Sequence, residues 1–88
     1  MKYVIDASVV LKWFLPEEDD DKASALLEGL WLGQHLLLAP DLIVAEVGNA
    51  LWKRSSLRGK LAAADASAIY RDFLTLRLTL FSSTDIGI

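Results

Sequence analysis

The chain has 88 residues, 53% of them hydrophobic, a net charge of −3 and no cysteine. That length allows one small domain with a marginal core. The missing cysteines exclude a disulfide framework and a thiolate metal site. The acidic balance argues against a protein that coats nucleic acid by charge alone, but not against an enzyme whose acidic site holds cations.

Tyr3, Val4 and Ile5 form a β-branched and aromatic run with nothing polar until Asp6. The run predicts a strand buried on both faces, as in a parallel sheet covered by helices. Asp6 falls at its end, where open α/β sheets place their ligands. Ser8 has the form of a helix N-cap before Val9, Val10, Leu11, Trp13 and Phe14. On this one aspartate, a cap or a turn is the leading account of Asp6, ahead of a site. Pro16 stops the first helix near Leu15.

Glu17 to Asp21 are five consecutive acids, suited to the positive end of a second helix. Nothing in the run directs their side chains to one metal. The helix they introduce spaces Ala23, Leu26, Leu27, Leu30 and Trp31 along one face, with Gly33 at its stop. His35 is the only histidine and reads as a solvated turn residue. Leu36 to Ala39 predict a second buried strand, reached by a helical crossover and therefore parallel to the first.

Pro40-Asp41 open a third helix, with Ile43, Val44, Val47, Ala50 and Leu51 on one stripe. Glu46 lies at the edge of that stripe, with Asn49 and Lys53 stacked on the same flank. A glutamate so placed beside an asparagine can be half-buried and held, which suits a ligand, though many such residues are merely surface. Lys53, Arg54, Arg58 and Lys60 hold four of the nine basic residues. They read chiefly as a solvated turn complementing the helix dipole, and secondarily as contacts to a phosphate backbone. A fourth helix is expected from Leu61 to Leu76, with Ala62, Ala66, Ile69, Tyr70, Phe73 and Leu74 facing inward. Leu78 to Phe81 predict a third strand, and Ser82 to Asp85 the cap of a further helix. Asp65 and Asp72 read as solvated. With only Ile86, Gly87 and Ile88 to follow, the chain is expected to be one domain, 1–88, incomplete at its C-terminus. No apolar run approaches the ~18 residues of a membrane span, and the start lacks signal-peptide architecture. A cytoplasmic setting is expected. The apolar excess implies a partner, an oligomer or a larger parent.

Together, Tyr3 to Phe14, Pro16-Glu17-Glu18, Leu38-Ala39-Pro40-Asp41-Leu42, Ala45-Glu46-Val47 and Asn49-Ala50-Leu51-Trp52 resemble the N-terminal part of a PIN domain. The wording is similar to that of VapC toxins from VapBC toxin–antitoxin pairs. The resemblance implies a three-layer α/β/α fold with a central parallel sheet, its C-terminal part missing here. It makes Asp6 and Glu46 the first two acids of a metal site holding Mg²⁺ or Mn²⁺, supported by Ser8 and Asn49; on the secondary reading of the basic stretch, Lys53, Arg54 and Arg58 would contact RNA. Hard carboxylate oxygens suit those ions, which keep several waters. The implied activity is cleavage of a structured RNA such as tRNA or rRNA, inhibiting translation. The implied partners are a VapB-like antitoxin and a second copy of the chain, with no membrane. The family's further aspartates have no counterpart here, so an inactive module that binds an antitoxin or self-associates is the competing expectation. A phosphatase of the haloacid-dehalogenase kind would need a second aspartate where Ser8 stands.

Overall fold

The computed structural model describes residues 1–15 and 21–82. The chain runs β1 (Lys2–Val4), α1 (Ala7–Phe14), α2 (Asp21–Trp31), β2 (Leu36–Pro40), α3 (Ile43–Trp52), α4 (Ala63–Leu74) and β3 (Thr79–Phe81). A π-helical segment, Lys53–Leu57, extends α3. The strands form one parallel sheet in the order β1-β2-β3. Tyr3 lies beside Leu37, and Ala39 beside Leu80. The expected α/β fold with a parallel sheet is therefore present. The acid run from Glu17 to Asp20 and the cap at Ser83 to Asp85 lie outside the described residues.

Strand alternation divides the sheet into two unlike faces. Ile5, Leu37 and Ala39 are buried and join Val10, Ile43, Val47, Leu51, Ala66 and Phe73 in one core cluster. Val4, on the other face, is 71% exposed. The expectation of a first strand buried on both faces is thus corrected: only alternate residues of β1 meet the helices. Leu36 repeats the pattern next door, exposed while Leu37 is fully buried.

The helices are held to one another largely through their apolar stripes. In α3, Ile43, Val47 and Leu51 are buried at the expected 3.6-residue period. Tyr70 of α4 packs its ring against Gly48, and its hydroxyl donates to the Val44 carbonyl at 3.0 Å. Trp13 ties α1 to α2 by donating its indole N–H to the Ala23 carbonyl at 2.6 Å. Trp31, expected on the inner face of α2, is 74% exposed. Its place at the last turn of the helix takes it past the packed stripe, and the small Gly29 is buried instead. Leu74 at the end of α4 is likewise exposed.

His35 also departs from expectation. It is half-buried, edge-on to the Tyr3 ring at 4.9 Å, and a Cβ at Gly29 would overlap its imidazole. The turn after α2 folds back over the start of β1, so a residue that looks solvated in sequence becomes packed. Its Nδ1 is buried with no hydrogen-bond partner among the described residues. Gly33, with φ of 72°, makes the reversal possible.

Candidate metal and nucleic-acid site

Asp6 follows β1 directly and ends up as the N-cap of α1. Its backbone is extended (φ −122°, ψ −178°), and Oδ1 accepts from the Ser8 N–H at 3.1 Å and the Val9 N–H at 3.4 Å. The Ser8 hydroxyl donates to the same oxygen at 2.6 Å. The expectation that Ser8 caps the helix is therefore corrected. The helix starts at Ala7 because the aspartate before it satisfies its orphan amides, and Ser8 serves as a further donor to that cap. The Ser8 hydroxyl, opposed by partial burial and assisted by the two amides, lowers the Asp6 pKa from its ordinary value of 3.8. Asp6 is thus an anion at neutral pH, fixed through Oδ1, with Oδ2 outside these three hydrogen bonds.

Around it is a shallow, largely apolar depression of about 450 Å³ lined by Val4, Ile5, Asp6, Ser8, Val9, Pro40 and Phe81. These residues come from the carboxyl ends of all three strands and from the first turn of α1. A parallel sheet brings every strand's carboxyl end to one edge, which is why a ligand site forms there. The edge is cross-linked: the Asp41 N–H donates to the Phe81 carbonyl at 2.8 Å, and the Ile5 N–H to the Leu38 carbonyl at 2.8 Å.

Glu46 and Asn49 occupy a different setting. Both are exposed on α3 and line a second depression, of about 320 Å³, with Ala50, Lys53, Arg54 and Arg58. Of the two settings open to Glu46, half-buried or surface, the structure takes the surface one. Ile43, Val47 and Leu51 take the packed face, and no described residue bonds the Glu46 or Asn49 side chain. The structure brings Asp6 and Ser8 together, and brings Glu46, Asn49 and the three basic residues together. The two groups line separate depressions, on helices α1 and α3 that pack against each other. Among the described residues, no three His, Asp or Glu side chains cluster as a metal cage. The donor chemistry at Asp6 nevertheless fits a hard divalent cation, because it offers an anionic oxygen on a rigid cap and leaves room for retained waters.

The basic stretch after α3, expected to be a solvated turn, is instead helical. Lys53–Leu57 forms a π turn closed by the Arg58 N–H donating to the Lys53 carbonyl at 3.0 Å. Gly59, with φ of 60°, ends it. The Ser55-Ser56 pair is the only local signal in the sequence, since serine is a poor helix-interior residue.

The PIN domain family model matches residues 3–85. The chain belongs to the PIN domain family, whose function is of the nuclease type. No curated protein matches it significantly. Among the described residues no helix is long and apolar enough to cross a membrane.

Proposed function

We propose that this chain carries the first half of a metal-dependent endoribonuclease site of the VapC toxin type. The observation that supports this most is Asp6: a carboxylate kept ionised, held by three hydrogen bonds to one oxygen, at the carboxyl edge of a parallel sheet. Asp6 would hold Mg²⁺ or Mn²⁺ through Oδ2, and Glu46 would add a second carboxylate from α3. Such an ion activates water and neutralises charge on a scissile phosphate.

Each residue of the site then has a defined task. Ser8 keeps Asp6 oriented and charged. Pro40, Val4 and Phe81 wall the depression beside it. Glu46 and Asn49, exposed and without partners among the described residues, can turn to meet a ligand. The substrate in this reading is a structured RNA such as tRNA or rRNA, cleaved in the cytoplasm, with translation inhibited as the result. A VapB-like antitoxin or a second copy of the chain would cover apolar surface such as Val4, Trp31 and Leu36, which are exposed.

RNA cleavage with Mg²⁺ or Mn²⁺, with excess chelator, and in Asp6→Asn and Glu46→Gln variants tests the site. The expected result is metal-dependent cleavage that falls to background in all three controls. Metal-dependent cleavage left intact in both variants would sink this reading. A second reading, an inactive module that binds an antitoxin, is favoured by the lack of a three-residue cluster among the described side chains. It predicts partner binding with no cleavage under any metal.

A further inference from the structure

We infer that the π turn after α3 builds a phosphate clamp from Lys53 and Arg58, which grips the backbone of a single-stranded segment of the structured RNA alongside Glu46. This deepens the nuclease reading and rests on it for the identity of the polyanion. In a continued α-helix, the flank through Glu46, Ala50 and Lys53 would next present Leu57, four residues beyond Lys53. The π turn lengthens that step to five residues, as the hydrogen bond from the Arg58 N–H to the Lys53 carbonyl records. Arg58 therefore takes the place above Lys53 and lines the depression that holds Glu46 and Asn49. Leu57 is displaced from that wall and is 66% exposed. The one-residue insertion replaces an apolar side chain with a guanidinium, and π turns of this kind are frequent at functional sites.

The charge state of the pair supports a ligand from outside. Lys53 and Arg58 are exposed, and neither side chain bonds another described residue. Both stand on the flank of a chain whose net charge is −3, so this is a local reversal of sign. One turn of helix separates them, about 5 Å along the axis, a step comparable to that between successive phosphates of a single strand. The guanidinium can take a phosphate through two parallel N–H donors, while the lysine acts as a point charge. Asn49 beside them can donate its amide to a phosphate or sugar oxygen.

Binding without cleavage tests the clamp. The full chain is titrated by fluorescence anisotropy with a 12-nucleotide single-stranded RNA in chelator, over a range of salt concentrations. Lys53→Gln and Arg58→Gln are each expected to weaken binding about 3- to 10-fold, and to reduce the slope of log K against log salt by about 0.7, the value for one fewer phosphate neutralised on a single strand. Arg58→Lys should keep the slope. Deletion of Ser56, which makes Arg58 the fourth residue after Lys53 and so keeps it above Lys53 in an α register, should leave binding unchanged. A Lys2→Gln control at the opposite end of β1 should match the unmodified chain. Binding and slope unchanged in both Lys53→Gln and Arg58→Gln would overturn the clamp, as would equal displacement of the RNA by polyglutamate of the same charge. A clamp effect with no metal-dependent cleavage would reject the nuclease reading alone. Cleavage that needs Asp6 but ignores both cations would reject the clamp alone.

Discussion

The two acids proposed to begin a PIN-type site are held in opposite ways. Asp6 sits on a strand-to-helix junction, where three donors fix Oδ1 and its charge is favoured by the Ser8 hydroxyl. Glu46 stands one crossover later on the exposed flank of α3, with no described partner and two cations further along the same flank. Capping a helix and presenting an anion are compatible tasks for a carboxylate, because it has two oxygens and the cap uses one. A flank residue on a helix has no such anchor, and its geometry must come from whatever binds it. Folding therefore prepares Asp6, whereas it leaves the Glu46 side chain unanchored among the described residues.

Substitutions that remove the support behind the rigid end have the largest expected effect on folding. Leu37 is fully buried beside Tyr3 in the strand next to β1. Leu37→Ala should cost about 3 kcal/mol by chemical denaturation, and for a small domain this approaches its whole stability.

Breaking the cap itself should have a smaller effect, and one that depends on pH. Asp6→Ala removes an N-cap worth about 1 kcal/mol, whereas Asp6→Asn keeps the cap and removes only the charge. Because folding lowers the Asp6 pKa, the stability its ionised form contributes is fully present above the ordinary value of 3.8. It is lost as pH falls below that value, through the lowered pKa of the folded state. Denaturation curves of the unmodified chain and of Asp6→Asn should therefore converge on acidification below that value. Ser8→Ala should raise the Asp6 pKa, moving that loss to higher pH. A stability difference that persists unchanged at low pH would show that the cap does not depend on charge.

The least effect on folding is expected at the other acid. Glu46→Gln and Asn49→Ala, both exposed, should change unfolding free energy by no more than about 0.5 kcal/mol, while RNA cleavage falls with Glu46→Gln. A large stability loss in either would mean that the α3 flank is held as firmly as the Asp6 junction.

Much of this contrast was legible in the residues. The apolar run ending in Asp6, the period of Ile43, Val47 and Leu51, and the glycine at position 33 each report a local preference, and local preferences are written in short stretches of sequence. Those stretches also carry the words that resemble a PIN domain, and the family match over residues 3–85 agrees with them. The exposure of Val4 and Trp31 was not legible, because it depends on which faces the other elements reach. The packing of His35 against Tyr3 and Gly29 joins residues up to 32 positions apart in the chain, and no short window of sequence contains that pairing.

Asp6 and Glu46 stand out as candidate acids of one site in the sequence, and their chemical nature needs nothing more. Tertiary structure decided how each is presented. It made Asp6 rather than Ser8 the cap, because the chain leaves β1 extended and enters the helix at Ala7. It left Glu46 on an open flank, because α3 buries the adjoining stripe of Ile43, Val47 and Leu51 and no other described element covers its edge. It also chose Arg58 over Leu57 for that flank through a single five-residue turn. Side-chain chemistry is fixed by the residue, but its direction is set by backbone geometry and by what packs behind it.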